Sequence, residues 1–220
     1  METTFYVALW LIYPVFGTLA LSFTEYNIIK PPEFIGLDNF REMFLHDPAY
    51  WIAVRNTVIY AGASVVLRLV FSLSLAVVLN MGVRGISVYR VLFYLPALVP
   101  PVVAAIIFLF MFNYTNGPIN AVLGSLGLPT PDWLLDPNWA MPALIILGLW
   151  PLGIEVLVFL AGLKQIPQDL LDAAATDGAS NFRRFIGITI PLLTPVILFN
   201  LVTGVIYSFQ VFAQALVIGD

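Results

Sequence analysis

Five long apolar runs limit what this chain can fold into more than any other feature. A helix that crosses the hydrocarbon core of a bilayer needs about 20 mostly apolar residues. Hydrophobic residues make up 60% of the chain and charged residues 10%, whereas soluble domains carry about 25% charged residues. We therefore expect an all-α, polytopic transmembrane helical bundle that forms a single domain over residues 1–220. The predicted spans cover about residues 4–23, 57–79, 91–112, 139–163 and 192–213.

The first run could instead be a secretory signal peptide. Only Glu2 precedes it as a charged residue, so a basic amino-terminal region is lacking, and no convincing small-residue cleavage site occurs before Ser22. We interpret it as a spanning helix.

Composition excludes several classes of function. The chain has no cysteine and a single histidine, His46, so neither a thiolate site nor a histidine cluster can hold a metal. A formal charge of −4 gives no basic surface for nucleic acid. The phosphate-binding pattern of ATPases is missing, so the chain is not expected to hydrolyse ATP. We predict no enzyme activity and no cofactor.

The short loops carry a modest charge bias. Five basic residues lie on one side and three on the other, and basic loops favour the cytoplasm. This predicts a cytoplasmic amino terminus and a cytoplasmic loop at 164–187, with Asp220 outside. The five predicted cytoplasmic residues are Arg84, Arg90, Lys164, Arg183 and Arg184, and the three on the outer side are Lys30, Arg41 and Arg55.

Aromatic residues are frequent in the loops on the predicted outer side. Trp and Tyr commonly lie at membrane–water interfaces. We therefore prefer an interfacial belt to a ligand-stacking site for these side chains, which include Phe44, Tyr50, Trp51, Trp133 and Trp139.

The 164–187 loop has the pattern of two short helices with a sharp corner. Pro167 suits a first helical turn, Gly178 suits a helix end, and Ser180 can cap a second helix. Pro191 is expected to permit or force a bend as the chain re-enters the membrane. On periodicity alone, an ordinary interfacial amphipathic loop is the alternative. The apolar face comprises Leu163, Ile166, Leu170, Leu171 and Ala174.

A family resemblance favours a more specific interpretation of this loop. The segments Asp172-Ala173-Ala174, Asp177-Gly178-Ala179, Phe185 and Ile190-Pro191 match the spacing of the EAA loop in binding-protein-dependent ABC transporter permeases. Asp172 replaces the usual glutamate and Ile190 the usual leucine. Other segments resemble the sugar-type permeases of this family, among them Ser22-Phe23-Thr24-Glu25-Tyr26, Gly36-Leu37-Asp38-Asn39-Phe40 and Arg55-Asn56-Thr57.

The resemblance implies a type I ABC importer permease in the cytoplasmic membrane of a bacterium or archaeon. Its partners would be ABC ATPase subunits, a second permease subunit, an extracytoplasmic solute-binding protein and membrane lipids. The solute would be a sugar or a similar polar molecule. The family's sixth span is absent, so we interpret the chain as a truncated permease. The residues implied to contact the ATPase are Asp172, Ala173, Ala174, Asp177, Gly178, Ala179, Phe185 and Pro191.

Two ionisable residues, Arg68 and Glu155, lie deep within predicted spans. Such groups are costly in the membrane and usually face a partner or a watery cavity. We hypothesise that they pair or line the solute pathway; the alternative is that each one separately snorkels or faces a partner subunit. Asn200, Tyr207 and Gln210 share one face of the last span. They could bind solute hydroxyls, although interhelical packing uses the same residue types.

An ion-coupled secondary transporter or channel is the alternative function. It would need an ion-coupling site or inverted repeats. No internal repeat is visible, and only Arg68 and Glu155 could couple ions.

Overall fold

The structure is a computed structural model that describes residues 6, 8–82, 85–211 and 215. The described residues are predominantly α-helical, as expected. The first residues of the first predicted span, the last residues of the fifth predicted span, Arg84 and Asp220 lie outside the described residues. The α-helices are α1 Tyr13–Leu21, α2 Asp38–Arg41, α3 Pro48–Asn80, α4 Ile86–Tyr94, α5 Pro101–Met111, α6 Pro118–Ser125, α7 Pro137–Leu149, α8 Gly153–Leu163, α9 Gln168–Thr176, α10 Asn181–Arg184 and α11 Ile190–Phe209.

Shorter elements connect or extend these helices. The sequence did not predict a small antiparallel pair, β1 Thr24–Glu25 and β2 Glu33–Phe34, in which Thr24 lies opposite Phe34. A 3-10 turn covers Leu95–Leu98. Three π-helical turns cover Ala8–Ile12, Glu42–His46 and Phe185–Thr189.

Residues 1–56 form one compact unit. Within it, the Asn39 side-chain amide donates to the backbone carbonyls of Ser22 and Thr24, both at 2.9 Å. The rings of Phe23 and Phe40 lie 5.4 Å apart. The start of α2 is thereby fixed against the chain that leaves α1.

Residues 57–220 form the second unit, and its main core joins three helices. Phe159 and Leu160 of α8 pack with Ala76 of α3 and Leu193 of α11, and all four are buried. A Cβ atom at Gly162 would lie 2.8 Å from Val196 and 2.9 Å from Leu193, so α8 and α11 are in close contact. Small residues allow this close approach of membrane helices.

A second core cluster joins α5 and α7 to the segment between them. Trp133 is 9% exposed and packs on Phe112 and Ala143. Its indole N–H donates to Asn120 Oδ1 at 2.8 Å. The expectation that Trp133 belongs to an interfacial belt was therefore wrong, because its polar N–H has a protein partner and its ring fills a core.

Prolines break two of the predicted spans. The axes of Ile86–Leu98 and Pro101–Met111 differ by 101°, and those of Pro137–Leu149 and Gly153–Leu163 by 50°. Proline lacks the N–H that continues a helix, which accounts for breaks at Pro100 and Pro151. By length and composition, two described helices, Pro48–Asn80 and Asn181–Phe209, could each cross a membrane. If each of the two bent pairs also counts as one span, the total is up to four. The described apolar helix in the first run, Leu9–Leu21, is shorter. Five spans in a single domain remain a prediction.

Candidate functional site

The second unit contains a cavity of about 480 Å³ between α3, α7, α8 and α11. The Leu95–Leu98 turn closes part of its wall with Pro96 and Ala97. All five residues that were assigned to a solute pathway line this one cavity: Arg68, Glu155, Asn200, Tyr207 and Gln210.

Arg68 and Glu155 form an ion pair in the cavity wall, so the pairing hypothesis is confirmed in the structure. Arg68 Nε donates to Glu155 Oε1 at 3.1 Å, and Nη2 donates to the same oxygen. The two side chains are only 19% and 12% exposed. In this low-dielectric setting, removing one partner would leave an uncompensated buried charge.

The same guanidinium also contacts the helix break between α7 and α8. Arg68 Nη1 donates to the carbonyl oxygen of Gly148, in the last turn of α7, where carbonyls lose their intrahelical partners. Glu155 lies in the first turn of α8. Arg68 therefore contacts both sides of the break at Pro151. Sequence reasoning missed the Gly148 contact, since a backbone acceptor leaves no signature in the side chains.

Three buried polar atoms on the cavity wall have no hydrogen-bond partner within the described part of the chain. They are Ser64 Oγ, Glu155 Oε2 and Asn200 Nδ2. Their residues are 1%, 9% and 3% exposed, respectively. Buried polar groups are almost always paired, so a water or a bound molecule is expected to serve these three atoms. Sequence reasoning missed Ser64, whose signal was a single hydroxyl in an apolar run.

Asn200 and Tyr207 lie on α11, whereas Gln210, predicted to share their helical face, lies beyond its last residue, Phe209. Asn200 is buried, whereas Tyr207 is 65% exposed and Gln210 follows the end of α11. The three residues therefore extend from the buried interior of the cavity to its exposed rim.

The 164–187 loop contains the predicted corner. Gly178 has φ of +82°, the left-handed region that glycine tolerates best. The Gly178 N–H donates to Ala175 O at 3.0 Å and the Ala179 N–H to Ala174 O at 2.9 Å. These two bonds are those of a Schellman motif, which ends a helix and satisfies its last carbonyls.

The caps and prolines of the loop agree only in part with the sequence-based expectations. Ser180 Oγ accepts from the Arg183 N–H at 3.3 Å, as predicted. Pro167 immediately precedes α9, with ψ of 124°, rather than lying in its first turn. Pro191 does not interrupt the helix on re-entry. Helix continues from Asn181 to Phe209, because a π-helical turn precedes Pro191 and places it at the start of α11.

Arg184 fixes the two arms of the corner to each other. Its Nη1 donates to Leu171 O on α9 at 3.3 Å, and its Nη2 donates to Asn181 Oδ1. Asp172 Oδ1 accepts from Gln168 Nε2 at 3.0 Å. Of the eight residues implied to contact an ATPase, five are exposed, namely Asp172, Ala173, Asp177, Gly178 and Pro191. The other three, Ala174, Ala179 and Phe185, are half-buried.

Comparison with known proteins identifies the class of protein that this fold and loop define. Residues 68–220 match the family described as the binding-protein-dependent transport system inner membrane component. The chain belongs to this family. It is therefore a membrane-spanning permease component of an ABC importer and not an enzyme. The ion-coupled alternative has no support from the comparisons.

Individual relatives cover nearly the whole chain. It is 44% identical over 208 residues to the probable ABC transporter permease protein YesP of Bacillus subtilis, covering 94% of this chain and 67% of the relative. It is 36% identical over 208 residues to the trehalose/maltose transport system permease protein MalF of Thermococcus litoralis, covering 94% and 70%. The chain thus spans about two thirds of the length of these relatives.

A solved structure shows the same fold. It is the crystal structure of a bacterial ABC transporter involved in the import of the acidic polysaccharide alginate. The TM-score is 0.81 at 25% identity, covering 96% of this chain and 72% of that chain.

Proposed function

We propose that the chain moves a sugar or a similar polar solute across the inner membrane through the cavity around Arg68 and Glu155. The proposal is carried by one observation. The cavity lies inside an apolar helical protein, and its wall contains three buried polar atoms that have no described hydrogen-bond partner. A polar solute could replace the missing partners, whereas the acyl chains of membrane lipid could not. The names of the similar permeases support a saccharide-like solute.

A separate ATPase subunit supplies the energy by binding the 164–187 loop. The loop leaves α8 at Leu163 and leads into α11, and both helices line the cavity and pack on each other. The Schellman motif and the Arg184 contacts make the corner stiff. A push on the exposed face of α9 is therefore transmitted to two walls of the cavity.

The complete transporter contains further subunits. A second permease subunit, two ATPase subunits and an extracytoplasmic solute-binding protein assemble with this chain, which is consistent with a binding-protein-dependent family. In this arrangement the amino terminus and the 164–187 loop are cytoplasmic, five spans form one domain, and membrane lipids surround it.

The direct test is uptake by proteoliposomes that contain the chain with its partner permease, ATPase and solute-binding protein. We expect uptake of radiolabelled oligosaccharide to require ATP inside the vesicles and to persist when ionophores collapse all ion gradients. Uptake that continues without ATP but stops with the ionophores would instead support an ion-coupled transporter.

A further inference from the structure

We infer that the cavity receives an uncharged, hydroxyl-bearing part of the solute and disfavours an anionic one. This inference rests on the proposed function and adds the charge class of the solute. Similarity alone does not decide the charge of the solute. One similar permease is named for trehalose and maltose, whereas the similar solved structure belongs to a transporter involved in the import of an acidic polysaccharide.

The first argument is the chemistry of the three unpartnered atoms. Glu155 Oε2 can only accept a hydrogen bond while it is ionised, Asn200 Nδ2 can only donate, and Ser64 Oγ can do both. A hydroxyl both donates and accepts, so the hydroxyls of a polyhydroxylated solute match the hydrogen-bonding needs of each of the three atoms. A carboxylate or a fully ionised phosphate only accepts, and it therefore cannot serve Glu155 Oε2.

The second argument is charge. Among the described residues that line the cavity, Arg68 has the only basic side chain and Glu155 the only carboxyl group. Their charges cancel, and Arg68 already donates to Glu155 and to Gly148. An entering anion would therefore meet a neutralised arginine and an unpaired carboxylate oxygen. Losing its hydration without a counter-charge would therefore disfavour binding of the anion.

The third argument is the remaining surface of the cavity. Tyr60 and Trp150 contribute aromatic side chains, while Pro96, Pro101 and Ile154 contribute apolar ones. Most small-molecule sites combine such apolar walls with a few polar groups that fix orientation. The cavity therefore suits a solute that has both C–H and O–H faces.

Two serines of α3 offer a matched test. Ser64 and Ser72 are 1% and 0% exposed. Ser72 Oγ donates to the backbone carbonyls of its own helix and does not line the cavity, whereas Ser64 Oγ is unpartnered and its residue lines the cavity. Replacing each with alanine removes the same hydroxyl at equal burial.

The experiment measures ligand-induced thermal shifts of the purified transporter complex. The neutral probes are maltotriose, arabinotriose and raffinose, and the anionic probes are trigalacturonate and sn-glycerol 3-phosphate. We expect a neutral probe to bind the complex. Ser64→Ala should raise its half-saturating concentration about tenfold, the upper effect of one lost hydrogen bond. Ser72→Ala should change it less than about twofold. Without probe, Ser64→Ala should melt no lower than wild type, since it removes an unpaired hydroxyl.

A charge variant tests the second argument separately. Glu155→Gln keeps the side-chain shape but leaves Arg68 without a counter-charge. We expect this variant to bind trigalacturonate at least about tenfold more tightly, relative to the neutral probe, than wild type does. An unchanged ratio would overturn the role given to Glu155.

Other outcomes would overturn the inference without touching the proposed function. They are tighter binding of an anionic probe by wild type, no binding of any neutral probe, or equal effects of Ser64→Ala and Ser72→Ala. ATP-dependent uptake by the same complex tests the proposed function by itself. Its loss in the wild-type complex would count against that function instead.

Discussion

Arg68 and Glu155 form an ion pair on the wall of the cavity, and the same arginine donates to the carbonyl of Gly148 on the far side of a helix break. One cation therefore connects α3 to the end of α7 and to the start of α8. A change in the angle of this break would move Gly148 relative to Glu155. We expect the Arg68 contacts to stabilise one such angle.

Exchanging the two charges tests this relationship. Arg68→Glu and Glu155→Arg should each lower stability by about 3–5 kcal/mol, because each leaves two like charges buried together. The double exchange should recover the ion pair only. A glutamate at position 68 cannot donate to the Gly148 carbonyl, so restoration should be partial. Thermal unfolding in detergent measures the effect, and a double variant no more stable than the singles would contradict the pairing.

Gly178 tests whether the corner of the 164–187 loop transmits motion. Nothing lies within 4 Å of a Cβ at this position, but φ of +82° strains any side chain, particularly a β-branched one. Gly178→Val should abolish ATP-dependent uptake while sparing membrane insertion. Gly178→Asn should retain more uptake, because asparagine tolerates this conformation.

Gly127 is the matched control for the corner. Its φ is +70°, with equally open surroundings, and it lies outside the 164–187 loop. Gly127→Val should lower stability to a similar degree, about 1–2 kcal/mol, while ATP hydrolysis stays coupled to uptake. If Gly178→Val transports normally, or if both variants uncouple the transporter equally, the corner does not have the proposed role.

Gly153 tests the packing of the helix break. A Cβ there would lie 2.6 Å from the Phe93 carbonyl oxygen and 2.7 Å from Tyr94 Cα, both backbone atoms that cannot move alone. Gly153→Ala should destabilise the protein by about 1–3 kcal/mol. Gly62→Ala is the control: it lies in α3 with nothing within 4 Å, so it should stabilise by about 0.5–1 kcal/mol. Equal melting temperatures for the two variants would contradict the close approach.

The sequence predicted those features that depend on rare or conformationally special residues. Two charges in apolar runs indicated the Arg68–Glu155 pair, since a buried charge needs a partner. A glycine after a short amphipathic segment indicated the left-handed end of α9.

What could not be predicted depended on tertiary context. The burial of Trp133 depends on Asn120, thirteen residues earlier, and the Gly148 contact depends on a backbone carbonyl. The continuation of the helix through Pro191 depends on a π-helical turn that no residue type announces. Ser64 was missed because its missing partner becomes apparent only once the neighbouring helices are placed.

The contact between the 164–187 loop and an ATPase subunit is the central claim, and site-specific cross-linking tests it most directly. The chain has no cysteine, so a single one can be introduced without a background. Asp177→Cys, at the exposed corner, should cross-link to the ATPase subunit in the assembled transporter, more strongly when ATP is bound. Ser125→Cys, at the end of α6, should not. Absence of a cross-link from Asp177→Cys, or equal cross-linking from both positions, would contradict the account.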